Sequence, residues 1–203
     1  MARISDITAV ILAGGASRRM GTDKAMLDFN GCPLLSLIVE YMECMFEKVL
    51  IAGGDPQRYA DQAVPVVPDL FDGKGAIVGI HAGLSAATTD RIFAIACDSP
   101  YPCADLIRKL IDIDREAAWV VPRTELGLEP LFSIYHKSCL PALEQIIAEN
   151  KRRISLLGGM VPTCYVGEAI LRSIDPELRS FVNVNTPEDL ANLGEFKNNP
   201  CAS

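Results

Sequence analysis

The stretch ITAVILAGGASRRMGTDK, residues 7–24, joins an apolar run directly to a glycine-rich loop. Residues 7–12 are rich in β-branched side chains and lack polar alternation, which predicts a strand buried on both faces of a parallel sheet. Gly14 and Gly15 follow this strand, and without a Cβ they allow the backbone to turn tightly and to approach a ligand closely. A buried strand followed by such a turn is typical of a phosphate-binding loop.

The same loop carries an excess of positive charge. Arg18, Arg19 and Lys24 follow the glycines and offer more to a triphosphate than backbone NH groups alone. A solvated basic loop between a strand and a helix is the alternative interpretation. The spacing excludes a Walker loop, because Lys24 precedes alanine, and it excludes the dinucleotide fingerprint, because GxGxxG is absent.

Residues 12–24 contain the signature LAGGxSxRMGxDK without a gap, and here the chain resembles the molybdenum cofactor guanylyltransferase family. The resemblance implies a nucleotidyltransferase that uses Mg²⁺ and moves GMP from GTP to the terminal phosphate of molybdopterin. Molybdopterin guanine dinucleotide and pyrophosphate would be the products. The likeness continues in five further blocks, GCPLL (31–35), PDLFDGKGAIVGIHAGL (68–84), ACDSPY (96–101), EPLFSIYHKSCLPALE (129–144) and FVNVNTPEDL (181–190).

Length and composition favour one globular domain over residues 1–203, with residues 197–203 as a flexible tail. Hydrophobic residues make up 49% and charged residues 22%, which is ordinary for a folded, non-membrane protein. The net charge of −7 argues against nucleic acid as a partner, since phosphate contacts demand a basic face. No apolar run is long enough to span a membrane, so no membrane partner is expected either.

Seven cysteines, an odd number in no CxxC pairing, indicate thiols packed as small hydrophobes in a reducing compartment. Because Arg3 and Asp6 interrupt any apolar leader, the predicted location is cytoplasmic. His136, at the end of a predicted strand, favours a structural or exposed role. His81 opens a helical segment and either packs or faces the ligand.

Alternation of strands and helices predicts an α/β fold, a single-domain Rossmann-like three-layer sandwich with a mostly parallel sheet, of the nucleotidyltransferase type by resemblance. Ligands bind beyond the carboxyl ends of strands in such sheets, where Leu12, Ala13 and Asp98 lie. Strands are predicted at 7–12, 48–52, 64–67, 92–96, 118–121, 130–135 and 163–166, and helices at 33–45, 77–87, 103–113 and 137–149.

Two aspartates are the candidate acidic groups. Asp98 follows a strand and precedes Ser99, and a single carboxylate with substrate phosphates is enough to hold Mg²⁺. The alternative is that Asp98 caps the next helix, but the family's CDxP aspartate matches it.

Asp69 can accept hydrogen bonds from N1 and N2 of guanine, and the family's matching aspartate contacts GTP. The alternative is that Asp69 is a solvated turn residue. The loop reads GAI where the family reads GPL, so no ribose contact is assigned.

The second substrate is expected further along the chain. Asn183 and Asn185 are two residues apart, so both side chains point the same way on an extended segment. Turn and cap chemistry is their alternative role. By resemblance these asparagines border molybdopterin, and Arg153, with Lys151 and Arg152, grips its phosphate; otherwise these cations are a solvated helix start.

The predicted roles overlap in the nucleotide site. The catalytic residues are Lys24, Arg18, Arg19 and Asp98, and Asp98 is also the metal ligand. The GTP-binding residues are Leu12, Ala13, Gly14, Gly15, Lys24, Asp69 and Asp98, and the molybdopterin-binding residues are Arg153, Asn183 and Asn185.

Other functions stay open at this point. A related transferase could use CTP, or act on a sugar or alcohol phosphate. A non-catalytic adaptor that delivers the cofactor is the alternative from another class, although intact Lys24 and Asp98 argue against it. The resemblance also implies transient contact with molybdoenzymes or their chaperones.

Overall fold

A mixed β-sheet with helices on both faces forms most of the chain that the computed structural model describes, residues 2–13, 28–29, 32–53, 56–71, 75–184 and 189. The strands are β1 (Ile4–Leu12), β2 (Asp28–Phe29), β3 (Cys32–Pro33), β4 (Phe46–Ala52), β5 (Val66–Val67), β6 (Arg91–Ala96), β7 (Trp119–Thr124), β8 (Gly127–Leu128), β9 (Phe132–His136) and β10 (Thr163–Gly167). The helices are α1 (Leu34–Met45), α2 (Ala76–Ala86), α3 (Ala104–Ile113), α4 (Leu140–Ala148) and α5 (Glu168–Ile174).

The main sheet has the strand order β10-β7-β9-β6-β1-β4-β5, with β8 paired to β7. Strand β1 is parallel to both of its neighbours, and Leu12 is in register with Ala52 of β4 and Ala96 of β6. Strand β9 is antiparallel to β6 and β7, and β8 is antiparallel to β7. The predicted α/β fold with a mostly parallel sheet is confirmed, and the carboxyl ends of three strands meet at one edge.

Strand β1 lacks polar alternation because hydrophobic layers cover both of its sides. Ile7, Ala9 and Ile11 pack in a core with α1, α3 and α5, whereas Val10 and Leu12 pack in a second core with α2 and α4. All five side chains are almost completely removed from solvent. Since burial of a valine, leucine or isoleucine side chain stabilises a fold by about 1.5–3 kcal/mol, a charged residue at any of these four positions would be costly.

Each strand and helix predicted from the sequence forms, although β5 is reduced to Val66–Val67. The segment predicted as one helix at 137–149 begins with a 3-10 turn, Lys137–Cys139, before α4. The sequence pattern does not predict helix α5, because Leu171 is its only buried residue and its hydrophobic periodicity is therefore weak.

Helix α2 packs unusually close to the sheet through its glycines. A Cβ on Gly83 would lie 2.4 Å from Cγ1 of Val10, so a side chain there would force the helix or Val10 to shift. This approach buries residues 77–84 on every side of the helix. The start of α2 is consequently held directly over the carboxyl ends of β1 and β4.

The cysteines only partly match their prediction. Cys97 and Cys139 are buried free thiols, and Cys32, Cys103 and Cys164 are free and half-buried. Cys44, however, is disulfide-bonded, so the prediction that all the cysteines remain thiols is wrong. Within the described residues, no helix combines the length and the hydropathy that crossing a bilayer requires.

Candidate active site

The carboxyl end of β1 is held by hydrogen bonds from both neighbouring strands. The amide of Ala13 donates to the carbonyl of Ala52 (3.1 Å), and the amide of Cys97 donates to the carbonyl of Leu12 (3.1 Å). Leu12 and Ala13 are therefore fixed at the point where the chain enters the glycine-rich loop. Their predicted place at the edge of the sheet is the one observed.

Tyr59 also holds this entry point, and sequence patterns do not indicate it. The residue ends a 3-10 turn, Pro56–Tyr59, and its side chain is almost fully buried. Its hydroxyl group donates to the carbonyl oxygen of Ala13 at 3.1 Å. Because the two partners lie 46 residues apart, no local motif marks the contact.

Asp69 lies just beyond β5, against the same strand ends. Its Oδ1 is buried, and none of the described residues gives it a hydrogen bond. Burial accordingly raises the pKa of this carboxyl group above its usual value. A Cβ on Gly79 would lie 3.9 Å from Oδ1 of Asp69 and 3.3 Å from Leu12, so glycine lets α2 pack closely against this corner. A buried hydrogen-bond acceptor thus lies beside the end of β1 with no donor among the described residues.

The loop that carries Asp69 is anchored to α2 through His81. The imidazole of His81 is buried, and its Nε2 lies 3.2 Å from Oε1 of Glu144 on α4. The ring of Phe71 packs edge-on against it, with 4.8 Å between ring centroids. His81 therefore has a packing role and supports the loop that carries Asp69.

Asp98 follows β6 in a tight turn and is half-buried. The amide of Ser99 donates to the carbonyl of Ala96 at 3.3 Å, which closes this turn. The alternative capping role does not apply to α3, because Cys103 stands at its N-cap position and the helix has no side-chain cap. Asp98 thus stands at the same edge of the sheet as Leu12 and Ala13.

The structure brings Asn183 to Asp98. The amide of Val184 donates to the carbonyl of Asp98 at 2.8 Å, and the hydroxyl of Ser99 donates to Oδ1 of Asn183 at 2.9 Å. Asp98 is therefore paired with Val184, and the next residue, Ser99, is paired with Asn183. This juxtaposition connects the predicted metal ligand with the predicted second-substrate side.

Residues that sequence patterns do not single out hold this second segment in place. Asp175 is buried, and its two carboxylate oxygens accept from the amides of Arg179 (3.1 Å) and Ser180 (2.8 Å). The hydroxyl of Ser180 in turn accepts from the amide of Cys103 at 3.1 Å. The guanidinium of Arg179 lies over the ring of Tyr101, 3.9 Å from its centroid.

Arg153 occupies a different side of the sheet. It is exposed and precedes a 3-10 segment, Ile154–Gly159, whose Ile154 packs in the core with α2 and α4. Phe181, beside Asn183, packs against the opposite core, with α1, α3 and α5. The structure does not group Arg153 with Asn183, and the role of Arg153 in binding molybdopterin stays a prediction.

Several predicted site residues fall outside the described part of the chain, so their roles rest on the sequence. They are Gly14, Gly15, Arg18, Arg19, Lys24 and Asn185. The predicted tail, residues 197–203, lies outside it as well. Within the described ranges, no cluster of three or more His, Cys, Asp or Glu side chains could hold a metal ion. Asp98 is therefore a candidate for a metal shared with substrate phosphates, rather than for a cage made by protein alone.

Comparison with known proteins agrees with this architecture. The model of the MobA-like NTP transferase domain matches residues 9–160. A probable molybdenum cofactor guanylyltransferase of Pelotomaculum thermopropionicum is 37% identical, over 90% of this chain and 89% of its own. A molybdenum cofactor guanylyltransferase of Vibrio cholerae is 36% identical, over 94% and 92%.

A solved structure gives the same result. The molybdopterin-guanine dinucleotide biosynthesis protein A of Archaeoglobus fulgidus superposes with a TM-score of 0.80 at 26% identity, covering 91% of this chain and 95% of that one. Sequence and fold thus agree along nearly the whole length. The chain belongs to the MobA-like NTP transferase family, which includes the molybdenum cofactor guanylyltransferases that its motifs resemble.

Proposed function

We propose that the protein transfers GMP from GTP to the terminal phosphate of molybdopterin and releases pyrophosphate. The observation that carries the proposal is the buried acceptor oxygen of Asp69, which has no protein partner among the described residues and faces the strand ends. A buried acceptor without a partner costs about 1–3 kcal/mol, so a bound ligand that supplies donors recovers this energy. The names of the relatives support guanine as that ligand.

Guanine suits this acceptor because its N1–H and N2–H donors lie side by side. A carboxylate can accept both, whereas adenine and cytosine present an acceptor at the equivalent position. The wrong base would leave buried polar groups unpaired, which is an effective means of discrimination. Asp69 lies close to Gly79 and, through it, to Leu12 at the end of β1, which supports the assignment of its carboxylate to the nucleotide site.

Asp98 is the residue that would hold Mg²⁺. Asp98 suits Mg²⁺ because its carboxylate supplies a hard oxygen ligand and stands half-buried at a strand end. Among the described residues, no cluster of three or more His, Cys, Asp or Glu side chains could hold a metal ion by itself. When bound, the ion would neutralise charge on the triphosphate and on the incoming phosphate. Asp98 would keep this charge next to Asn183, on the side where the second substrate is proposed to bind.

The remaining site residues either bind the substrates or stabilise the charge that develops during the reaction. The phosphate of molybdopterin attacks the α-phosphorus of GTP in line, and the bond to pyrophosphate breaks. No general base is needed, because a phosphate monoester with a second pKa of about 6 is largely ionised near neutral pH. The backbone at Leu12 and Ala13 positions the glycine-rich loop, and Lys24 would stabilise the charge that develops on pyrophosphate.

Asp69→Asn is expected to weaken GTP binding and, at the same time, to stabilise the ligand-free protein. Loss of the charge-assisted hydrogen bonds to guanine should cost about 3 kcal/mol, or about a hundredfold in Kd by calorimetry. In the free protein, removal of a partly buried charge should raise the free energy of unfolding by about 1 kcal/mol at neutral pH.

The pH dependence of this stability gain has a defined sign. Burial raises the pKa of Asp69 in the folded state, so the destabilisation begins as the pH rises above the pKa of the unfolded chain and is complete once the pH exceeds the pKa of the folded protein. The difference in unfolding free energy between the variant and the wild type should thus vanish near pH 3 and be fully present at neutral pH. If the variant is less stable at neutral pH and binds GTP normally, Asp69 is a structural turn residue and the proposal is wrong.

A further inference from the structure

Glu129 is a half-buried residue at the edge of the sheet where the proposed site lies, and the mechanism above gives it no task. It follows the short strand β8 and precedes β9. Two residues further along, the carbonyl of Leu131 accepts from the amide of Ala96, the last residue of β6, at 3.2 Å. Asp98 lies two residues beyond Ala96. Glu129 and Asp98 therefore lie at the ends of two neighbouring strands, at one edge of the sheet.

We propose that the carboxylate of Glu129 binds the pterin ring of the acceptor, by accepting hydrogen bonds from the ring N–H and from the exocyclic amino group beside it. The inference rests on the proposed function and deepens it, because it assigns a site to the end of molybdopterin that does not react. The acceptor would then bind with its phosphate toward Asp98 and its ring toward Glu129.

The pterin ring and guanine present the same hydrogen-bonding edge. Each carries a ring N–H next to an exocyclic amino group, so two donors point in the same direction. A carboxylate can accept from both donors at once, and both bonds are then charge-assisted. The proposed reaction joins two molecules that carry this edge, and Asp69 serves only one of them. A second carboxylate on the acceptor side is the matching group for the other.

The backbone of Glu129 is fixed between two strands. Its amide donates to the carbonyl of Pro122 in β7 at 3.0 Å, and its carbonyl accepts from the amide of Phe132 in β9 at 3.1 Å. The hydroxyl of Ser133, a fully buried residue, donates to the same carbonyl at 2.7 Å. Only the side chain has to be ordered when a ligand binds, which lowers the cost of binding. Asp69, in contrast, lies beyond β5, on the other side of β1.

The surroundings of this carboxylate suit a flat ring with donors at its edge. Leu128, Pro130 and Leu131, its neighbours in the chain, are half-buried and apolar. Burial raises the pKa of Glu129, and a hydrogen bond from the hydroxyl of Thr124 acts in the opposite direction. Within the part of the chain that the structure describes, Thr124 is the one side-chain partner of this carboxylate. Because an ionised carboxylate has about four acceptor positions, it can also accept from a ligand.

Glu125 provides a matched control. It lies in the turn between β7 and β8, four residues before Glu129, and its side chain is exposed. Its amide donates to a carboxylate oxygen of Glu168 at 2.6 Å, and this backbone contact does not depend on the side chain of residue 125. Glu125→Gln therefore removes one negative charge from the same hairpin and leaves the proposed ring site intact.

The first experiment measures pyrophosphate release with molybdopterin varied at saturating GTP and Mg²⁺. Glu129→Gln keeps the size of the side chain but replaces one acceptor by a donor, so it should raise the KM for molybdopterin about tenfold and change kcat less than about threefold. Glu129→Asp keeps the carboxylate and should raise the KM less, and Glu125→Gln should leave it unchanged. The Kd for GTP, measured by calorimetry, should stay within about twofold of wild type, which also shows that each variant is folded.

The second experiment tests the edge of the ring with two competitive inhibitors that differ at one position. Hydroxymethylpterin phosphate carries the exocyclic amino group, whereas the corresponding lumazine phosphate carries an oxygen there, which would face the carboxylate and repel it. The pterin compound should inhibit the wild type at a concentration at least about tenfold lower than the lumazine compound. Glu129→Gln should remove most of this difference, and Glu125→Gln should preserve it.

An unchanged KM in Glu129→Gln, an equal rise in Glu125→Gln, or equal effects of the two compounds on the wild type would each overturn the assignment. A higher Mg²⁺ requirement in Glu129→Gln would overturn it as well, because the carboxylate would then be a metal ligand. A wild-type protein that makes no product from GTP and molybdopterin would instead refute the proposed function, and the inference would fall with it.

Discussion

Asp98→Asn is expected to lower kcat by at least about a hundredfold, the scale that mutagenesis gives for the loss of one preorganised electrostatic group. The substitution keeps the size of the side chain but removes the charge that would hold Mg²⁺. The backbone contacts of residue 98 should persist, because its carbonyl rather than its side chain accepts from Val184. Steady-state pyrophosphate release at saturating GTP, molybdopterin and Mg²⁺ measures the effect.

Two controls make this result specific. The unfolding temperature without ligand should be close to that of the wild type, since asparagine keeps the size of the side chain and one of its acceptor oxygens. Raising the Mg²⁺ concentration should recover little activity. A variant that retained more than about a tenth of wild-type turnover, only 1.4 kcal/mol of barrier, would show that Asp98 is not the metal ligand.

Lys24→Ala is expected to lower the rate constant of the chemical step about a hundredfold to a thousandfold, or about 2.7–4 kcal/mol. The ammonium group is proposed to meet charge that grows on the departing pyrophosphate. An interaction made mainly in the transition state appears in the rate constant rather than in the Kd for GTP. Single-turnover kinetics with saturating GTP, molybdopterin and Mg²⁺ separate the two quantities.

Lys137→Ala is a suitable control for this lysine. Lys137 lies in the 3-10 turn after β9, at the opposite end of the sheet from the carboxyl end of β6, and its removal should change neither quantity. An unchanged rate constant in Lys24→Ala would show that Lys24 is a solvated loop residue with no role in the chemical step. The phosphate-loop assignment would then depend on Gly14 and Gly15 alone.

The fold can be predicted from the sequence because its strongest signals are local. Residues 7–12 are apolar at every position but Thr8, which requires cover on both faces, and the two cores observed around β1 provide it. The strand ends at Leu12 and Ala96 then meet at one edge, since neighbouring strands are parallel. This geometry explains why the amino-acid sequence alone assigns Leu12 and Asp98 to one site.

The contacts that support the site cannot be predicted in the same way, because they join residues far apart in the chain. The hydroxyl of Tyr59 and the carbonyl of Ala13 form no motif, and the same holds for Ser99 and Asn183, which are 84 positions apart. Arg153 shows the converse problem. Its charge and its place after α4 suggest a phosphate ligand, but periodicity does not tell which face of the sheet an irregular segment will follow.

The most direct test of the central claim is pyrophosphate release by the wild-type protein with molybdopterin, Mg²⁺ and each of ATP, CTP, GTP and UTP in turn. The proposed role of Asp69 predicts rapid release with GTP and at least about a hundredfold lower kcat/KM with the other three, because none of them offers the buried carboxylate the paired donors of guanine. Asp69→Asn should erase most of this preference. Equal or faster release with CTP, or no release with any nucleotide, would contradict the assignment of this chain as a guanylyltransferase.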